Sequence, residues 1–166
     1  MIFCGTGHRP DKLGGYGEAA FENLRKIARE HLDCMVNLYP KVEVVSGMAL
    51  GWDLALAQAA FDLSIWYTAA IPCDNQCDRW PPASRKLWAK LINRSHNTVL
   101  VTPGPYKPEV MQIRNEWMVD NSSYVIAMYD GSAGGTCNCI KYANKMGRSI
   151  TNLYPKYLAT TSEGIF

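Results

Sequence analysis

The chain has 166 residues, enough for one well-buried core and too few for two ordinary domains. Apolar residues make up 48% and charged residues 19%, a balance that excludes a chain disordered throughout. A net charge of +2 with no basic run lacks the electrostatic footprint of a protein whose main work is sequence-independent duplex binding.

Ile2 to Gly5 reads as a short apolar strand that breaks into the loop Thr6-Gly7-His8-Arg9-Pro10. Arg9 is the first candidate anion contact, because a planar guanidinium grips two oxygens at once. The alternative is a solvated loop arginine beside a His8 that caps a turn. From about Tyr16 to Leu38, the residues Phe21, Leu24, Ile27, Ala28, Leu32 and Met35 recur at three- and four-residue steps, which predicts a helix laid on a sheet. Val42 to Ser46 is the second strand.

That strand runs into Ser46-Gly47-Met48-Ala49-Leu50-Gly51-Trp52-Asp53, a strand-to-helix turn with glycines at Gly47 and Gly51. A turn with few Cβ atoms lets backbone N–H groups approach an anion, and the following helix adds its free amides and positive dipole end. Close packing explains such glycines equally well, and Asp53 is also a natural helix cap.

Asp53 to Leu63 is a predicted helix so rich in Ala and Leu that more than one side must be buried, and Tyr67 to Ile71 is the third strand. The irregular loop Pro72 to Pro82 carries Arg79 and Trp80, placed to clamp or stack on a flat ligand, or else to pack beneath the loop. Ala83 to Arg94 is a helix, Thr98 to Val101 the fourth strand, and Glu109 to Asn121 a helix containing Arg114 and Asn115. Tyr124 to Tyr129 is the fifth strand. It ends in a second glycine loop, Asp130-Gly131-Ser132-Ala133-Gly134-Gly135-Thr136, which opens a helix over Thr136 to Met146. Ser149 to Leu153 is the sixth strand, and residues 154–166 show no clear period and are expected as an arm or tail.

Regular strand–helix alternation predicts a Rossmann-like, doubly wound α/β fold: a mainly parallel sheet of about six strands with helices on both faces, in one domain over residues 1–153. Of the six cysteines, Cys4 falls in a strand and Cys34 in a helix, where a thiol behaves as a small apolar residue. Cys73-x-x-x-Cys77 and Cys137-x-Cys139 lack the paired spacing of structural zinc sites, so no metal and no cofactor is assigned. Met1 leads straight into a strand and no apolar run approaches membrane-spanning length, so no membrane partner is expected and a reducing cytoplasm is the expected location.

The motifs together resemble the SLOG superfamily of Rossmann-like proteins, which includes LOG phosphoribohydrolases, the DNA-processing protein DprA and a YpsA/YoqJ-like group of bacteria and phages. Thr6 to Pro10 with Leu13-Gly14 looks like the YpsA/YoqJ opening, Ser46 to Asp53 like the DprA and YpsA glycine turn, Arg114-Asn115 like the RN pair of DprA-like members, and Asp130 to Thr136 like the second phosphate loop. The resemblance implies binding of a nucleotide or nucleotide-derived small molecule, for sensing or sequestration, with a phage-encoded member acting on a host signal. In this reading Gly7, His8, Arg9, Ser46, Gly47, Gly51, Gly131, Gly134, Gly135 and Thr136 surround the phosphates with Arg114. Asp53 or Asn115 fixes the loops or a ribose hydroxyl. The resemblance also implies dimers or higher oligomers.

Two alternatives remain at this level. LOG enzymes carry a glutamate where this chain has Cys139, and a thiol does not readily replace a carboxylate that activates water. An N-glycosidase would therefore need a displaced acid, for which Asp53 and Asp130 are the candidates. Single-stranded DNA binding in the DprA manner would use Arg9, Arg114 and stacking on Trp52 and Trp80, with the low net charge against it.

Overall fold

The computed structural model describes residues 1–162. Six strands, β1 (Ile2–Gly7), β2 (Glu43–Ser46), β3 (Trp66–Ile71), β4 (Asn97–Leu100), β5 (Tyr124–Met128) and β6 (Ser149–Asn152), form one sheet in the order β4-β3-β2-β1-β5-β6. Every neighbouring pair is parallel. Parallel strands deliver their carboxyl ends to one edge, so the loops that follow them meet there. From β1 the order steps outward through β2 and β3 to β4, then resumes on the other side of β1 with β5. The crevice outside the β1 and β5 ends is therefore the switch point of the sheet, where doubly wound folds take their ligands.

The helices are α1 (Glu18–Leu38), α2 (Trp52–Asp62), α3 (Pro82–Arg94), α4 (Val110–Asp120), α5 (Gly135–Lys145) and α6 (Tyr154–Ser162). Successive strand residues face opposite sides of the sheet, which divides the core in two. Phe3, Val44, Tyr67 and Ile126 pack with α1, α2, α3 and α6. Cys4, Val45, Ala70 and Val125 pack with Met118 and Val119 of α4 and with Cys139 and Ala143 of α5. The doubly wound α/β architecture predicted from the alternation is thus the one observed.

Helix α2 is the centre of the larger core. All of Trp52 to Ala60 is buried, because the helix lies on the sheet and is covered by α1 and α3. Its buried Gln58 amide donates to Asp62, which also accepts from Arg25 of α1 at 2.6 Å. This ties the two helices at the end of α2 remote from the crevice.

Two expectations change. Residues 154–162 are a helix rather than a loose arm: Tyr157 is buried in the core, and Asn23 of α1 donates to Thr160 at 3.1 Å. The rest of the expected tail, residues 163–166, lies outside the described residues. Cys34 lies in a helix as predicted but on its exposed side, whereas Cys4 and Cys139 are buried. Among the described residues no helix is long and apolar enough to cross a membrane, and no three His, Cys, Asp or Glu gather as a metal-binding group.

Candidate functional site

The turn after β2 is built around a cation. Ser46 Oγ donates to the Asp53 carbonyl at 2.7 Å and accepts from the Met48 amide at 3.1 Å, which fixes the turn in both directions. Met48 is fully buried with φ +55°, a left-handed conformation that a non-glycine residue adopts only when its surroundings enforce it. The Gly47 carbonyl accepts from Arg114 Nη1 and, at 2.9 Å, from Gln76 Nε2. A Cβ on Gly47 would overlap the Arg114 guanidinium and stand 2.7 Å from Asp53 Oδ2. The space that glycine leaves open is therefore filled by an arginine of this chain, and neither Ser46 nor Gly47 lines the crevice.

Arg114 is 4% exposed and Asp53 5%, with Nη1 to Oδ2 at 3.7 Å. Burial pushes the Asp53 carboxyl up, against the pull of Arg114 and, more weakly, of Arg9. Burial likewise pushes Arg114 down, against Asp53. Arg114 Nε donates to the Asn115 side chain at 3.1 Å. Its Nη2 makes no hydrogen bond within the described residues, and Arg114 lines the crevice. The arginine is chiefly a tie between α4 and the β2–α2 turn, with one edge left for a ligand.

Two glycines and a tryptophan form the floor. A Cβ on Gly7 would lie 2.5 to 2.7 Å from Trp52 side-chain atoms, and one on Gly51, at φ +88°, would lie 2.6 Å from the His8 carbonyl. Trp52 is fully buried and donates from Nε1 to the Ile126 carbonyl at 3.2 Å. The expected stacking role of Trp52 is thus corrected, because its ring is covered by the backbone of β1 and presents no face to a base. Gly51 similarly serves close packing of the turn against the β1 loop rather than contact with a phosphate. Trp80 is only partly buried and lines a second cavity.

The crevice itself has a volume of about 330 Å³. On one side stand Gly7 at the end of β1 and His8, Arg9, Asp11 and Lys12 after it, and on the other Ala133 to Thr136 at the start of α5, with Asp53, Arg114 and Asn115 at its base. The amides of Gly135, Thr136 and Cys137 occupy the first turn of α5, where no intrahelical acceptor exists. A Cβ on Gly135 would meet nothing within 4 Å. Arg9 makes no ion pair among the described residues. The second glycine loop therefore presents open amides across from a free guanidinium, an arrangement suited to an anion.

His8 is 7% exposed and Asp130 Oδ1 lies 2.6 Å from its Nε2. The Asp130 amide also lies 3.0 Å from Nε2, but a carboxylate oxygen this close requires the proton to sit on the ring nitrogen, so Nε2 donates to Oδ1. Asp130 Oδ1 also accepts from the Ser132 hydroxyl at 2.5 Å and amide at 2.8 Å, and Lys12 Nζ stands 3.5 Å from Oδ2. These Ser132 donors first, and then His8, hold the Asp130 carboxyl well below its usual range. Asp130 and Gly131 do not line the crevice; they shape the loop that does. A depressed folded-state pKa contributes stability above the unfolded carboxylate value of about 3.9 and loses it as pH falls further. Below about pH 4 the wild-type melting temperature is expected to fall more steeply than that of Asp130→Asn, measured by circular dichroism across a pH series. Parallel curves would show that the cluster is not coupled to folding.

The sequence reading did not single out Lys12, Met111 or Thr6 as site residues. Lys12 ends the 3₁₀ turn Pro10–Lys12, which brings it, three residues after Arg9, to the same crevice; a cation at that spacing behind a proline was the available signal. Cys139, at the position where LOG enzymes carry a glutamate, is fully buried, and burial pushes its thiol up to about 11 against a hydrogen bond from Thr6. It is neutral at ordinary pH.

An all-parallel sheet with its crevice at the β1/β5 switch point defines a Rossmann-like, doubly wound α/β protein. The chain matches the family model of the YspA SLOG family over residues 3–162 and belongs to that family. It is 33% identical over 136 residues to the SPbeta prophage-derived protein YoqJ of Bacillus subtilis (strain 168), covering 70% of this chain and 79% of the relative. Among solved structures it is similar to DNA processing protein A (DprA) from Streptococcus pneumoniae, with TM-score 0.62 and 19% identity over 90% of this chain and 48% of that one. A DprA from Helicobacter pylori, described for its single-stranded DNA binding mode, gives TM-score 0.61 at 18% identity over 90% of this chain and 63% of that one. The chain thus spans about half of the S. pneumoniae DprA, and at this identity the likeness is one of fold.

Proposed function

We propose that the protein binds a nucleotide or nucleotide-derived small molecule, with its phosphates held between the Gly134–Thr136 turn and Arg9. The observation that carries this reading is the convergence, in one crevice at the switch point, of a helix amino end, an open glycine turn and the cations Arg9 and Lys12. Of the expected ligand residues, Gly7, His8, Arg9, Asp53, Asn115, Gly134, Gly135 and Thr136 line it, and Arg114 offers one edge. Similarity to a prophage-derived relative fits a role in sensing or sequestering a host nucleotide signal.

Neither alternative has comparable support. Asp130 is bonded to His8 and Ser132 and does not line the crevice, and Asp53, which does, has Oδ2 paired with the Arg114 guanidinium at 3.7 Å, so neither acid expected to replace the LOG glutamate stands there without a partner. Single-stranded DNA binding loses one of its stacking platforms with the burial of Trp52.

Thermal-shift titration against nucleotides, ADP-ribose and cyclic ADP-ribose isomers tests the proposal, since a ligand that binds only the folded state raises the melting temperature. No shift at millimolar concentrations would count against it. Arg9→Ala is expected to weaken binding about ten- to hundredfold by removing a charge-assisted contact. Gly135→Val should weaken it with little loss of stability, because the position lines the crevice and an added Cβ there meets no protein atom within 4 Å. Calorimetric affinity paired with ligand-free melting points checks both. An oligonucleotide that bound more tightly than any mononucleotide, and weakened steeply with salt, would transfer the site to nucleic acid.

A further inference from the structure

A second cavity of about 610 Å³ opens beside the crevice, beyond the carboxyl ends of β3 and β4, and two residues, Arg9 and Met111, line both. Its walls are the loops that follow those strands. They are stitched together: the Asp74 amide donates to the Gly104 carbonyl at 3.0 Å, the Gly104 amide to Asp74 Oδ2 at 3.1 Å, and the Tyr106 amide to Asn75 Oδ1 at 2.8 Å. Two loops joined by three hydrogen bonds make a preformed wall rather than two independent flaps.

The lining differs from that of the first cavity. Trp80 is anchored on the apolar core and shows part of its ring to the cavity, while Tyr106, 56% exposed, stands on the neighbouring loop between Pro105 and Pro108. Gln76, also in the lining, spends its amide on the Gly47 carbonyl and on Trp88 Nε1. It therefore braces the cavity against the same carbonyl that holds Arg114. Cys73 is a buried thiol pushed up by that burial, so it adds no charge. The charged residues lining this space are Asp78, Arg79 and, shared with the crevice, Arg9, and neither arginine makes an ion pair among the described residues.

The geometry points to a base subsite: the second cavity takes the planar heteroaromatic base of a nucleoside phosphate against Trp80 and Tyr106, while Arg9 at the junction meets the phosphate or the ribose that joins the two halves. Aromatic rings accept any base by its π-face, and the exposed tyrosine gains most from a partner that covers it. The ligand is then a nucleotide that retains its base, rather than a bare sugar phosphate or inorganic phosphate. This inference rests on the phosphate reading of the first crevice.

Calorimetry on the full chain separates the two, with AMP, GMP, CMP and UMP as probes beside ribose 5-phosphate. At least one nucleotide is expected to bind roughly five- to hundredfold more tightly than ribose 5-phosphate, the range that stacking supplies. Tyr106→Ala should bring that nucleotide toward the ribose 5-phosphate affinity and leave ribose 5-phosphate unchanged. Because Trp80 also packs on the core, Trp80→Phe is the companion variant; it keeps a ring and should lose only part of the preference. Arg9→Ala should weaken both probe types. Equal affinities of nucleotides and ribose 5-phosphate in the wild type, or a Tyr106→Ala loss shared by both, would overturn the base subsite and leave the phosphate reading standing. Failure of every probe, and of ADP-ribose and its cyclic isomers, to bind would remove both.

Discussion

Arg114→Ala is expected to lower the stability of the folded protein by about 3 to 5 kcal/mol, the cost of leaving a buried charge without its partner. Asp53 would remain 5% exposed with no counter-ion, and the Gly47 carbonyl would lose one of its two donors. Arg114→Lys should recover only part of the loss, because an ammonium keeps the charge but cannot serve Gly47 and Asn115 from a planar fork. Replacing both partners, as Arg114→Met with Asp53→Leu, should be far milder than the single change, since apolar side chains carry no desolvation penalty. Urea unfolding of the three proteins measures this directly. A loss below about 1 kcal/mol for Arg114→Ala would mean that the pair is solvated and that the arginine is free to serve a ligand instead. The double variant also isolates function: if its crevice still binds anions nearly as well as wild type, Arg9 and α5 carry the site.

The sheet and most helices were legible because their signals are local. The three- and four-residue steps of Phe21 to Met35 and the β-branched run before Ser46 each give an element without reference to the rest of the chain. Helix α6 was not, since nine residues with one buried tyrosine give too few turns for a period to show, and what holds it is α1. At the site the difference is sharper. A glycine in the sequence says that a Cβ is unwelcome and is silent on what occupies the space. At Gly135 that space is open to the crevice, at Gly47 it holds Arg114, at Gly51 it holds the His8 backbone, and at Gly7 it holds Trp52. The same residue type thus marks a ligand turn in one loop and a packing contact in the other. Trp52 and Trp80 are likewise indistinguishable by type. Trp52 opens the helix that fills the core, whereas Trp80 sits on an irregular loop, and only the tertiary structure converts that into burial for one and partial exposure for the other.

Trp52 yields the second large effect. Trp52→Ala should cost about 3 to 5 kcal/mol, because a fully buried indole is removed from between β1 and α2 and the cavity left cannot close while β1 is held in the sheet on both sides. Trp52→Phe should cost less. It keeps most of the apolar volume and loses the Nε1 hydrogen bond to Ile126, worth about 1 kcal/mol net, plus the strain of refilling the space against Gly7. A stacking role predicts the reverse order of effects: near-normal stability for both variants and, for Trp52→Ala, an affinity loss of about 1 to 3 kcal/mol per base. Measuring urea midpoints without ligand beside the affinity of the folded Trp52→Phe protein for its best nucleotide distinguishes them. A stable Trp52→Ala protein with impaired binding would return this tryptophan to the ligand. An unstable one, with Trp52→Phe binding at close to wild-type strength, would leave base recognition to Trp80 and Tyr106 and make Trp52 the floor on which the β1 end of the crevice rests.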